Sequence, residues 1–153
     1  MAITVDSATV AQEIGDAHRH LSSVMELVDQ NIQSATPLDQ LRRRQADLER
    51  EQADPSFWDE GNSKRATTVN AQLGETSRLI QRLESWQQWR DDATTALELW
   101  TEETNEAEKG VWWTEFTQSL DKLRADSEAF ELELLLSGPY DQAPARLVLT
   151  AGA

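Results

Sequence analysis

Apolar residues recur every three or four positions along most of this chain. The first series is Val10, Ile14, Ala17, Leu21, Val24, Val28 and Ile32, which together make one stripe on an α-helix. Thr36-Pro37 interrupts it, because proline lacks an amide donor and disfavours helix in the residue before it. A second helix can restart at once, since proline suits a first turn, and Leu38, Leu41 and Leu48 carry it to about Gln52. Asp54-Pro55 then opens a turn that Gly61-Asn62 closes, with Phe57 and Trp58 between them. This link should reverse the chain, its two aromatic rings plugging the end of a helical core. Ser63 is placed to cap a long third helix along Val69, Leu73, Thr76, Ile80 and Leu83, extended by Trp86, Trp89, Ala93, Ala96 and Trp100. Gly74 weakens that helix by roughly 1 kcal/mol relative to alanine without having to break it.

Residues 91–108 hold seven acidic side chains and no basic one, which predicts a solvent-facing helix that frays into a linker before Lys109-Gly110. The last helical stripe is Trp113, Phe116, Leu120, Leu123, Ser127, Phe130 and Leu134, and Ser137-Gly138-Pro139 should end it. The pattern then changes. Ala145-Arg146-Leu147-Val148-Leu149-Thr150 is short, partly alternating and contains a β-branched core, as a strand would be. A lone strand is unstable in water and needs pairing partners, and the chain stops three residues later. The expectation is therefore an all-α fold: an antiparallel long-helix bundle of three to four helices over residues 1–136. Residues 137–153 would supply a linker and the first β-strand of a truncated α+β domain.

Composition narrows the function classes. The 153 residues are 39% hydrophobic and 27% charged, suited to a modest core. No stretch approaches the roughly 18 consecutive apolar residues of a membrane span, and no membrane role is expected. Residues 1–16 lack a basic segment followed by an apolar one, which argues against a secretory signal or an attached transit peptide. With no cysteine there is no disulfide framework or thiolate metal site, in keeping with a reducing compartment. A net charge of −14 repels phosphate backbones, so independent nucleic-acid binding is not expected. The densest basic cluster, Arg42, Arg43 and Arg44 with Arg50 nearby, sits among Asp39, Asp47, Glu49 and Glu51 and reads as a solvated helix face.

The sequence offers few candidates for catalytic chemistry, and none has the required spacing or setting. His18 and His20 lie two apart on a helix and diverge, with no partner at metal-ligand spacing. Gly-rich phosphate loops and Gly-x-Ser-x-Gly elbows are missing from the sequence. Glu102, Glu103, Glu106 and Glu108 could be imagined as acid/base pairs or a cation site, but nothing nearby would desolvate them. Trp112 and Trp113, about 100° apart on one helix, cannot share a seam, so one of them is a candidate contact residue. No enzyme activity, catalytic residue, cofactor, metal or small-molecule substrate is expected.

Two segments are more specific. Leu48-Glu49-Arg50-Glu51-Gln52-Ala53-Asp54-Pro55-Ser56-Phe57-Trp58-Asp59-Glu60 resembles the turn after the first helical segment of type-2 class-I peptide-chain release factors of bacteria and plastids. Phe130-Glu131-Leu132-Glu133-Leu134-Leu135-Leu136-Ser137-Gly138-Pro139-Tyr140-Asp141, with residues 145–153, resembles the passage from their last bundle helix into the first strand of the central domain. The resemblance implies a role in translation termination at UGA or UAA, in the cytoplasm or alternatively the plastid stroma. In that family a Ser-Pro-Phe tripeptide reads the stop codon, and a Gly-Gly-Gln loop promotes peptidyl-tRNA hydrolysis. The N-terminal helical domain packs toward the ribosomal stalk base. This sequence contains neither motif, so by resemblance it is the positioning part, with the ribosome as partner. Two other readings stand beside it: a stand-alone ribosome- or RNA-associated adaptor of release-factor descent without termination activity, and a generic coiled-coil bundle.

Overall fold

A computed structural model describes the backbone of residues 7–142 and the side chains of residues 12–137. Four α-helices account for nearly all of it: α1 (Ser7–Ser34), α2 (Leu38–Ala53), α3 (Ser63–Glu102) and α4 (Glu106–Gln142). Two single-turn 3-10 helices, Pro55–Trp58 and Glu60–Asn62, join α2 to α3. The expected all-α bundle is present, and the described residues contain no strand. The strand expected at residues 145–150 lies outside the described residues.

The chain divides into two compact units, one of residues 1–31 and 89–153, the other of residues 32–88. Within the second unit, side-chain bonds show an antiparallel hairpin. Gln52 Nε2 donates to Asn70 Oδ1 at 2.6 Å near the turn, and Gln45 Nε2 to Ser77 Oγ at 3.0 Å farther along. Arg42 reaches Glu84 at 2.8 Å beyond that, so residue numbers fall on α2 as they rise on α3. Leu48, Phe57 and Val69 form its buried cluster, with Ala66 and Leu73 packed against them.

The first unit gathers α1, the C-terminal part of α3 and α4. Trp100 meets Trp113 with ring centroids 4.9 Å apart across the α3–α4 connection. Asn31 Nδ2 of α1 donates to the Ser127 carbonyl of α4 at 2.8 Å, and Arg90 pairs with Asp29 at 3.0 Å. Its core holds Ala17, Val24, Val28, Ala93, Ala96, Leu97, Phe116, Leu120 and Leu123, almost all of them members of the stripes read from sequence. Residues three or four apart share a helix face, and here that face is the dry one.

Four local expectations are corrected. Phe57 is fully buried but Trp58 is 66% exposed, so only one ring plugs the hairpin end. Consecutive residues on a tight helical turn point well over 90° apart and cannot both face inward. Ser63 does not cap α3. Its backbone is already helical (φ −60°, ψ −37°), because the second 3-10 turn runs directly into the helix. The acidic segment does not fray as far as Lys109-Gly110. Its break is confined to residues 103–105, and Ala93, Ala96, Leu97 and Trp100 bury one face of the helix before it. Asn105 Oδ1 accepts the amides of Ala107 (2.9 Å) and Glu108 (3.1 Å), which lets α4 start early. Finally, α4 continues through Gly138 and Pro139 to Gln142. Pro139 cannot donate to the Leu135 carbonyl, but Leu135 is 70% exposed and water can serve that group instead.

Candidate functional site

The turn of residues 54–62 is the most organised exposed feature of the 32–88 unit. Asp54 Oδ1 accepts from the Ser56 amide at 3.0 Å and from the Ser56 hydroxyl at 2.9 Å, while Pro55 opens the 3-10 turn. These two bonds, the amide first, hold the Asp54 carboxyl below the usual carboxylate range. Slight desolvation opposes them, and Arg65 adds a further lowering. The Phe57 amide donates to the Asp54 carbonyl at 2.9 Å, the Asp59 amide to the Ser56 carbonyl at 3.1 Å and the Asn62 amide to the Asp59 carbonyl at 2.9 Å. Asn62 Nδ2 closes back onto the Ser56 carbonyl at 2.7 Å. Phe57 anchors the turn in the core, and Trp58 stands edge-on to it, 4.8 Å between centroids and 82° between planes. The Arg65 guanidinium lies 5.8 Å over the Phe57 ring and binds Glu51 at 3.0 Å.

The arginine cluster is placed as the sequence suggested. Arg42, Arg43, Arg44 and Arg50 are all exposed. Arg42 pairs with Glu84, Arg43 Nε reaches the Asp39 carbonyl at 3.5 Å, and Arg50 pairs with Asp47. Arg44 borders a small groove of about 130 Å³ with Gln72, Glu75 and Leu79. Much of the positive charge is therefore answered locally, and it forms no free basic stripe.

In the other unit, the tryptophan ambiguity resolves toward Trp113. It is 39% exposed and packs at a tilt against Trp100 and Phe116, the latter at 5.4 Å, whereas Trp112 is half-buried. Lys109 Nζ sits 4.8 Å over the Trp100 ring. Trp100, Trp113, Glu13 and Asp16 line an open groove of about 480 Å³. Farther along α4, Leu132, Leu135 and Leu136 are exposed together, three positions that share one helix face. His18 and His20 are both exposed. Glu102, Glu106 and Glu108 are exposed as well, and Glu103 is occupied in the break, where Oε1 accepts the amides of Thr104 (3.1 Å) and Asn105 (3.0 Å). Among the described residues no three His, Asp or Glu side chains gather at metal-binding distance. No described helix is long and apolar enough to cross a membrane.

Trp113, counted in the last helical stripe, is exposed as well, and the residue missed outright is Trp58, read as a core plug and found on the surface. The available signal was its adjacency to Phe57, since the same angular argument applied to Trp112 and Trp113 applies there.

Residues 41–153 match the PCRF domain family. At 33% identity over 122 residues the chain is similar to peptide chain release factor 2 of Mycobacterium sp. (strain KMS), covering 80% of this chain and 32% of that protein. At 34% identity, with the same coverage, it is similar to peptide chain release factor 2 of Mycobacterium avium (strain 104) and of Mycobacterium tuberculosis (strain ATCC 25618 / H37Rv). The chain thus spans about a third of the length of the curated relatives it matches. No solved structure matches it significantly. With the family match spanning most of the chain, the chain belongs to the PCRF domain family and is similar within it to peptide chain release factor 2.

Proposed function

We propose that this chain acts in translation termination as the helical positioning region of a release factor 2-like protein in the cytoplasm, with the ribosome as its partner. The observation that carries the proposal is the match of residues 41–153 to the PCRF domain, joined to the similarity with peptide chain release factor 2. Its surface chemistry suits positioning. The exposed aromatic and apolar groups sit on pre-formed helical scaffolds, and a net charge of −14 leaves nucleic-acid grip to other parts of a factor. On this reading residues 1–136 are the domain that packs toward the stalk base, and residues 137–153 begin the central domain. Codon reading at UGA and UAA and the Gly-Gly-Gln hydrolysis step belong to segments outside these 153 residues.

The test uses ribosomes stalled at UGA with peptidyl-tRNA in the P site. The 153-residue chain alone should release no peptide. Substituted for the corresponding segment of a mycobacterial release factor 2, it should support release at UGA and UAA. Peptide release by the isolated chain would refute the division of labour. A chimera inert at both codons, together with specific capture of RNA by the isolated chain, would favour the adaptor reading.

A further inference from the structure

The turn that carries Trp58 has the properties of a docking point. Large aromatic side chains are seldom held in water by a well-ordered frame, and tryptophan is the residue most enriched among interface hot spots. Here the frame is dense. Phe57 is wholly buried beside Leu48 and Val69, and Asp54 and Asn62 tie Ser56 from both sides. Trp58 is 66% exposed directly against this anchor. The backbone that carries the ring is already ordered, so a partner that covers Trp58 need not order the turn as well, which lowers the entropic cost of binding.

The charges beside the ring select the partner. Between residues 53 and 63 every charged side chain is acidic: Asp54, Asp59 and Glu60. Lys64 and Arg65 begin only in the first turn of α3, and Arg65 is engaged with Glu51. Ser56 donates two hydrogen bonds to the Asp54 carboxylate, and Asp59 and Glu60 are exposed. An exposed indole on a turn whose charged residues are all acidic would meet repulsion from a phosphate backbone and attraction from lysine and arginine.

We propose that the Trp58 turn, with Asp59 and Glu60 as its rim, is the contact by which this chain docks on a basic protein surface of the ribosome. This rests on the ribosome-positioning reading given above and narrows it to one turn of the 32–88 unit.

The experiment measures binding of the 153-residue chain to purified 70S ribosomes by co-sedimentation across a salt series. The variants are Trp58→Ala, Trp58→Phe and the double variant Asp59→Lys/Glu60→Lys, each checked for helical content by circular dichroism. The expected results are a loss of about thirtyfold or more for Trp58→Ala and a smaller loss for Trp58→Phe. The charge-reversed variant should bind more weakly, with its attraction no longer growing at low salt. Wild-type binding that Trp58→Ala and the charge reversal leave unchanged would overturn the docking turn while the positioning role stands. Tighter binding by the charge-reversed variant would overturn the basic protein partner in favour of ribosomal RNA. A wild-type chain without ribosome affinity would overturn the positioning role and the docking turn together.

Discussion

Phe57 and Trp58 are adjacent and chemically alike, yet the structure assigns them opposite work, and stability measurements can separate them. Phe57→Ala removes a ring with no exposure from the cluster of Leu48, Val69, Ala66 and Leu73. Roughly 150 Å² of apolar surface leaves a dry site, worth about 3–4 kcal/mol at 25 cal/mol per Å². The cavity left behind keeps the cost within the range of about 3–5 kcal/mol typical of buried phenylalanine. Trp58 is 66% exposed, so only a third of roughly 200 Å² is at stake on truncation, about 70 Å² or some 1.5–2 kcal/mol as an upper figure. Urea unfolding followed by far-UV circular dichroism gives both free energies. Amide exchange at Leu48 and Val69 shows whether the loss is confined to the hairpin end. Trp58→Ala should cost at least about 1 kcal/mol less than Phe57→Ala. Equal costs would refute the reading that Phe57 alone holds the turn, and with it the claim that Trp58 is available to a partner.

Ser127 is fully buried and its Oγ has no hydrogen-bond partner, so Ser127→Ala should raise stability by about 1 kcal/mol in urea unfolding, with the Asn31 bond to its carbonyl intact. Asn105→Ala strips the cap that serves the Ala107 and Glu108 amides and should lower stability by about 1 kcal/mol, with exchange accelerating first at those two amides. Asp54 has a folded-state pKa lowered by its Ser56 bonds, so its contribution is complete above the unfolded carboxylate value and disappears as pH falls through the folded one. The stability difference between the native chain and Asp54→Asn should therefore be constant near neutrality and shrink only below about pH 4 in acid titrations. A difference that grows on acidification would contradict that sign.

How much of the fold was legible follows from what periodicity measures. A repeat of three and four marks the side of a helix that meets another element. Val24, Val28, Leu41, Leu48, Val69, Ile80, Phe116, Leu120 and Leu123 were all named by their spacing and all are buried. The same rule marked polar members, and Thr76 and Ser127 are buried because the stripe passes through them. Periodicity says less about where a helix stops, since that depends on caps and on tertiary neighbours. The break at residues 103–105 contains neither glycine nor proline, and its signal was Asn105 with Glu108 three residues on, a capping pattern hidden in an acidic run. Gly138-Pro139 carried the opposite signal and was overridden, since the Leu135 carbonyl that loses its donor belongs to an exposed residue that water can serve.

The candidate site was legible only in part, for a related reason. Burial is dictated by the average demand of a helix for a dry face, and an average can be read from a window of residues. A docking residue is an exception to that demand, an apolar group kept in water, and a pattern counts it as core. Trp58 was misread in this way, and so was Trp113 as a member of the α4 stripe; the spacing of Trp112 and Trp113 required one of the two to leave the seam but did not say which. The general form of that argument is angular: wherever two large apolar residues are consecutive in a tight helical turn, one is left outside. Leu135 and Leu136, 70% and 72% exposed, mark where the argument reaches its limit. Both lie outside, together with Leu132, so a stretch of one α4 face is bare rather than one member of a pair. A bare face expresses what a helix still lacks, whereas a single ring standing on a hydrogen-bonded, core-anchored turn is not needed to hold that turn. The second kind of exposure is therefore the stronger sign of a partner, and among the described tryptophans Trp58 shows it most clearly.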